Sequence, residues 1–231
     1  MFSNKYIIIY LTVLVSIVAI ALTFVAVSLK PKQESNIRIE KMQNILSSAN
    51  VESNVENAET LYEKNIQHAF VINHKGEIVK NIDAFSLDLN VELKKPLEKR
   101  NFPVFVSSNN GDSLYIMPLR GKGLWGPIWG YIALKNDFNT IAGAVFDHKG
   151  ETPGLGAEIN TTEFEHKFLN KQIFDQNENF VSVKVIKGIV KPDDLHSVDA
   201  ISGGTITSKG LEDMIFNGLS SYLPFIKRTK K

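Results

Sequence analysis

The chain begins with an uninterrupted apolar run. Tyr6 to Leu29 (YIIIYLTVLVSIVAIALTFVAVSL) carries no charged residue, and at about 1.5 Å per residue a helix of that length crosses the ~30 Å hydrocarbon core of a bilayer. The pattern predicts a transmembrane helix over residues 6–29. A cleaved signal peptide is the competing reading, because Ala26-Val27-Ser28 loosely resembles a small-x-small cleavage site. The apolar run nevertheless exceeds the about 7–15 residues of a signal-peptide core, which favours a retained anchor. Beyond Lys30-Pro31 the apolar residues Ile37, Met42, Ile45, Leu46 and Ala49 recur at helical spacing, and they predict an amphipathic helix. A weaker helical pattern covers Val55 to Asn65, so residues 30–67 read as a helical connector.

From residue 68 onward the period shortens. His68 to Asn73 and Glu77 to Ile82 flank His74-Lys75-Gly76, and Val104 to Ser107 and Ser113 to Met117 flank Asn109-Asn110-Gly111-Asp112. Each pair predicts a β-hairpin. Ile128 to Leu134, Ala142 to Phe146 and Val181 to Ile186 are further strand candidates, while Thr162 to Asn170 and Ile206 to Leu223 read as helices. The expected fold class is α+β: one N-terminal transmembrane helix followed by a single antiparallel-rich domain over residues 68–231.

Composition narrows the chemistry. The chain has 231 residues with 26 basic and 25 acidic side chains, a balance that creates no broad field for nucleic acid. Cysteine is absent, which excludes disulfides, iron–sulfur ligation, thiolate zinc sites, cysteine nucleophiles and flavin attached through cysteine. The five histidines, at positions 68, 74, 148, 166 and 196, show no metal-ligand spacing, so no metal site is expected. Charge leaves the topology open, since Lys5 stands on one side of the span and Lys30 and Lys32 on the other.

Three glycine-rich clusters are the candidate functional segments. Arg120-Gly121-Lys122-Gly123-Leu124-Trp125-Gly126-Pro127 combines cations, flexible backbone and a large aromatic face, suited to an anion or a planar ring. Its bland alternative is a tight loop with Trp125 and Trp129 plugging the core. His148-Lys149-Gly150-Glu151-Thr152-Pro153-Gly154-Leu155-Gly156 follows an apolar strand and reads either as a ligand-approaching loop or as a long turn. Ser202-Gly203-Gly204-Thr205-Ile206-Thr207-Ser208 stands directly before an amphipathic helix. Free amides and the macrodipole favour phosphate at such a helix start. The alternative is an ordinary N-cap in which Ser202, Thr205 or Thr207 satisfies the first amides. Neither a Walker A loop nor a dinucleotide fingerprint is present.

The last cluster, preceded by Asp199, resembles the S-G-A-T flavinylation motif whose closing threonine accepts FMN from a dedicated flavin transferase. The likeness extends through LKPKQ (Leu29 to Gln33), MQNIL (Met42 to Leu46), GKGLW (Gly121 to Trp125), ETPGLG (Glu151 to Gly156) and VDAISGGTITS (Val198 to Ser208). Together these resemble the NqrC family of the Na+-translocating NADH:quinone reductases. The resemblance implies FMN joined through its phosphate to Thr205, with Ser202, Gly203, Gly204 and Thr207 at the phosphate end. It further implies Glu151, Thr152, Leu155, Gly156 and Trp125 near the ribityl chain and isoalloxazine, and Lys122 and Lys209 offsetting phosphate charge. No residue of this chain is expected to be catalytic by itself.

The chain would act as an electron relay in a redox-driven sodium pump, with NADH oxidation and quinone reduction on other subunits. Its partners would be those subunits, the flavin transferase and membrane lipid. Residues 1–5 would be cytoplasmic and residues 68–231 periplasmic, at the bacterial inner membrane. Gly204 departs from the alanine of the usual motif. RnfG, the homologous component of the Rnf ferredoxin:NAD+ complex, is the nearest rival, which LKPKQ and MQNIL disfavour. A cofactor-free, membrane-anchored sensor ectodomain is the rival of another class.

Overall fold

The computed structural model of the chain describes residues 3–109 and 112–230, and it divides into two compact units, residues 1–41 and 42–231. Helix α1 runs from Asn4 to Ser48 without interruption, so the expected span and residues 30–48 of the expected connector are one helix. Pro31 lies inside it and forgoes one backbone hydrogen bond, yet long helical stretches on both sides carry the chain through. Side chains from Tyr6 to Leu29 are exposed. Thr12 and Thr23 return their hydroxyls to the carbonyls of Ile8 and Ala19, at 2.9 and 2.7 Å, as a lipid-facing helix requires of its polar groups. This is the one helix among the described residues long and apolar enough to cross a membrane.

The second unit begins with the last turns of α1, where Met42, Ile45, Leu46 and Ala49 are buried. Ile37, expected on the same stripe, is 64% exposed instead. Helix α2 (Ala58–Asn65) starts later than expected, because the Asn54 side chain accepts the amides of Glu56 and Asn57 and holds residues 54–57 in a turn. Strands β1 (Ile66–Asn73) and β2 (Ile78–Val79) form the first hairpin. Asn73 Oδ1 accepts the amides of Lys75 and Glu77 in its turn, and Gly76 adopts φ +73°. The second strand is shorter than its sequence suggested, since Asn81 at φ +64° turns the chain away.

A short helix α3 (Leu89–Glu92), capped by Asp88, leads to β3 (Asn101–Asn109) and β4 (Asp112–Lys122). The tip of their hairpin, residues 110–111, lies outside the described residues. Strands β5 (Pro127–Leu134) and β6 (Ile141–His148) complete an antiparallel sheet of order β2-β1-β3-β4-β5-β6. Helix α4 (Thr162–His166) is shorter than expected, ending well before Asn170 at φ +61°. Strand β7 keeps only Lys184–Ile186 of the predicted segment and pairs in parallel with β8 (Ser197–Asp199). Helix α5 (Thr205–Thr229) closes the described chain, continuing past Leu223 and through Pro224.

Alternation along the strands explains the layering. Ile128, Ile132 and Phe146 join Leu211, Met214, Ile215, Leu219 and Tyr222 of α5 in one core, while Ile116, Tyr131 and Ala133 join Ile45 and Ala49 in another. Residues two apart on a strand share a face, so one sheet is buried on both sides. Tyr222 Oη lies within hydrogen-bond distance of the carbonyls of Pro103 (3.1 Å) and Pro118 (3.0 Å). It thereby serves strand positions where proline offers no amide.

Candidate functional site

Sheet register brings two of the glycine clusters together. Lys122 pairs with Pro127 across the β4–β5 turn, and Ile128 pairs with His148 at the end of β6. The loops over residues 123–126 and 149–156 therefore leave the same end of the sheet. Helix α5 begins there too, because a Cβ on Gly210 would lie 2.3 Å from the Lys122 carbonyl oxygen. Only glycine allows helix and strand to approach so closely.

Glu151 joins all three clusters. It is 4% exposed, Oε1 accepts the Trp125 amide at 2.8 Å, and Oε2 accepts the Thr207 hydroxyl at 2.5 Å. A Cβ on Gly123 would lie 2.5 Å from Oε1, and one on Gly156 would lie 2.7 Å from Oε2 and 2.4 Å from Thr207 Oγ1. The two glycines make room for the carboxylate. Burial raises its pKa, but the Thr207 hydroxyl and the amides of Trp125, Leu124 and Gly126 outweigh that influence and hold it below the usual carboxylate range.

The start of α5 is open. Its N-cap is Gly204, and no side chain caps it, so the ordinary N-cap reading is overturned: Thr207 is turned inward to Glu151. Ser202 and Thr205 are exposed, whereas Thr207 is buried. Gly203 adopts φ +74°, and a Cβ there would strike Leu155 Cδ2 at 2.4 Å, which places Leu155 over the glycine pair. Gly204 lies against the second cluster, where its Cβ would be 3.3 Å from the Gly156 amide nitrogen.

Trp125 is 69% exposed and Leu155 41%, so the reading in which Trp125 plugs the core is overturned. Thr152 is exposed, and its carbonyl accepts the amides of Leu155 and Ala157, both at 3.1 Å. Lys122 is exposed. Lys209 pairs along its own helix with Glu212 and, at 3.2 Å, with Asp213, and the Glu212 hydrogen bond leads the influences that raise its pKa.

An open helix start, glycine-backed and bordered by Leu155, with exposed Trp125 on the adjoining loop, fits a flavin phosphate. Free amides and a positive dipole end would face such an anion, and the exposed Thr205 hydroxyl would stand beside it. A separate groove of about 780 Å³, lined in part by Phe70, Tyr115, Phe225 and Thr229, lies at the far end of α5. Among the described residues no group of acidic and histidine side chains is arranged to hold a metal ion.

Several residues that organise the site carry no signal of their own in the sequence. Ser208 Oγ accepts the Ile201 amide at 3.1 Å, His148 Nδ1 accepts the Glu151 amide at 3.1 Å, and Glu158 accepts the Gly154 amide at 2.9 Å. Asp199 accepts the Val190 amide, and Glu212 accepts the Val185 amide at 2.8 Å. His148 and Ser208 fall within the glycine clusters, but nothing in their spacing marks them as backbone acceptors.

Comparison with known proteins agrees with this geometry. Residues 123–220 match the FMN-binding domain family. The NqrC component of the Na(+)-translocating NADH-quinone reductase of Haemophilus ducreyi is 32% identical, with 88% of this chain and 87% of that protein covered. Its counterpart from Vibrio parahaemolyticus is 29% identical over 92% of this chain and 90% of its own. The crystal structure of the counterpart from Parabacteroides distasonis superposes with a TM-score of 0.79 at 46% identity, covering 86% of this chain and 96% of that one. Shewanella oneidensis NqrC gives a TM-score of 0.74 at 28% identity, covering 84% and 97%. With its membrane-length helix, antiparallel sheet and glycine-lined helix start, the chain belongs to the NqrC family of the Na+-translocating NADH-quinone reductases.

Proposed function

We propose that this chain is the FMN-carrying relay of a Na+-translocating NADH:quinone reductase, with the flavin phosphate esterified to Thr205. The observation that carries the reading is the start of α5: an exposed threonine at its first position, an uncapped glycine before it, and Trp125 and Leu155 exposed nearby. FMN bound there supplies one- and two-electron transfer. The chain's own residues hold it. Ser202, Gly203 and Gly204 leave the phosphate access to backbone amides, while Trp125, Thr152, Leu155 and Gly156 border the ribityl and ring end. Lys122 adds positive charge at the rim, whereas the charge of Lys209 is shared with Glu212 and Asp213.

Attachment forms a bond between Thr205 Oγ and phosphorus and releases the hydroxyl proton. The balancing reactant would be a flavin dinucleotide, whose phosphoric anhydride P–O bond breaks as the nucleoside monophosphate leaves with the proton; a flavin transferase would catalyse the exchange. Sodium export, NADH oxidation and quinone reduction belong to the assembled complex. Its other subunits and the lipid around α1 are the chain's partners.

The chain is a membrane-anchored subunit, and we place residues 68–231 on the periplasmic side, with residues 1–5 in the cytoplasm. Because the sequence has no cysteine, a cysteine introduced at exposed Asn160 gives background-free labelling. An impermeant maleimide is expected to react without breaking the inner membrane; reaction only after lysis would reverse the orientation. For the flavin, the chain is co-expressed with its transferase and run on a denaturing gel. A fluorescent band lost in Thr205→Ala is expected. A parent band without fluorescence would refute the attachment, and loss in Thr207→Ala with persistence in Thr205→Ala would move it to the other threonine.

A further inference from the structure

We infer that Glu151 is the positioning residue of this site: its buried carboxylate fixes the first turn of α5 so that Thr205, and not Thr207, is presented for modification. The inference rests on Thr205 being the flavin acceptor, and it gives that choice a physical cause. Both oxygens of Glu151 are occupied by the protein, one by the Trp125 amide and the other by the Thr207 hydroxyl. At 4% exposure the group is not free to meet a ligand. Its role is therefore to hold other groups in place.

Helix geometry supplies the rest. Successive side chains are about 100° apart around an α-helix, so residues two apart point about 200° apart. Tying Thr207 inward consequently turns Thr205 outward, in accord with Thr207 at 2% exposure and Thr205 exposed. The tie is also enclosed. Side chains at Gly123 and Gly156 would strike Oε1 and Oε2, and the Glu151 amide is held by His148 Nδ1. The donors around the carboxylate are amides and a hydroxyl, and hydrogen bonds from such donors to a charged acceptor are stronger than neutral ones. A glutamine in its place would bring a donor group where the surroundings also donate.

The test uses the full chain in detergent, prepared without the transferase and then incubated with purified transferase and flavin dinucleotide. Glu151→Gln, Thr207→Val, the double variant and Thr207→Ser are compared by initial rate of in-gel fluorescence and by amide exchange at Trp125. Thermal midpoints are measured in parallel to confirm that each variant is folded at the assay temperature. Glu151→Gln is expected to speed exchange at Trp125 and slow flavin attachment, each by roughly tenfold or more. Thr207→Val slows attachment similarly, the double variant is no slower than the slower single one, and Thr207→Ser restores the parent rate because its hydroxyl can still donate.

Parent-like attachment and exchange in Glu151→Gln would overturn the inference. So would independent, multiplying effects of the two single substitutions. Should Glu151→Gln fail to fold, Thr207→Val against Thr207→Ser decides on the same terms. If the parent chain accepts no flavin at Thr205, the attachment reading falls by itself. In that case exchange at Trp125, and at residues 205–207, in the unmodified variants still shows whether the carboxylate fixes this turn.

Discussion

Gly210→Ala sets helix propensity against packing, and the structure decides which prevails. In the interior of α5, alanine is favoured over glycine by about 1 kcal/mol, so local physics expects stabilisation. The added Cβ, however, would lie 2.3 Å from the Lys122 carbonyl oxygen, 3.3 Å from its carbon and 3.4 Å from Gly123 Cα. All three are backbone atoms at the end of a paired strand, which no rotamer change can move. Relief requires α5 and β4 to separate by roughly an ångström, and overpacking of that kind costs about 1–3 kcal/mol, offset in part by the propensity gain of about 1 kcal/mol. A net destabilisation of up to about 2 kcal/mol follows, or up to roughly 8 °C in Tm for a domain of this size.

Gly218→Ala is the matched control. It lies in the same helix and gains the same propensity, but its nearest neighbour is Leu119 Cδ2 at 2.6 Å, the end of a side chain able to change rotamer. Its stability is expected within about 1 kcal/mol of the parent. Thermal unfolding of the detergent-solubilised chain, followed by tryptophan fluorescence, measures both. Gly210→Ala should in addition slow flavin attachment, since it lifts the helix start from the loop at Trp125. If Gly210→Ala raises Tm as much as or more than Gly218→Ala, the claim that backbone approach at Lys122 fixes the site is wrong.

Glu165 provides a pH test. Burial raises its pKa to about 7, with Asp147 adding in the same direction against the Phe146 amide, which donates to it at 2.8 Å. A carboxyl with a raised folded-state pKa contributes stability that is present below the unfolded value of about 4.3 and is lost as pH rises through 7. Glu165→Gln, always neutral and still able to accept that amide, should match the parent near pH 4.5 and exceed it by roughly 1–2 kcal/mol at pH 8, with solvent screening allowed for; equal Tm differences at both pH values would count against the assignment. Tyr222→Phe removes the hydroxyl serving the carbonyls of Pro103 and Pro118 and should cost about 1–2 kcal/mol in chemical denaturation, an unchanged midpoint being the contrary result. Gly204→Ala should be tolerated and keep its flavin, because φ is −102° and the new Cβ would lie 3.1 Å from Ile201 Cγ2. Gly203→Ala, held at φ +74°, should lose about 1 kcal/mol of stability and attach flavin more slowly; in-gel fluorescence normalised to protein compares the pair.

What the sequence alone determined about this protein rests on short-range physics. A span of charge-free residues, the buried stripe from Met42 to Ala49, the strand alternation of β3 to β6 and the amphipathic period of α5 each need only neighbours along the chain to be legible. The glycine clusters were visible in the same way, as was a helix start suited to phosphate. Element ends were less legible. Strands β2 and β7 were shortened where Asn81 and Ser182 adopt positive φ, and Pro31 did not break α1, because those outcomes depend on packing and on the helix around them.

Only the tertiary structure decided how the clusters meet. Glu151 and Thr207 are 56 residues apart, and no local pattern marks a carboxylate that the fold buries between two loops and a helix. The same holds for Thr205 and Thr207, whose residue type and setting in the sequence are alike. Which of them faces outward is fixed by a hydrogen bond to a distant loop, and that loop reaches the helix because glycines at 123, 156 and 210 leave no side chain in the way.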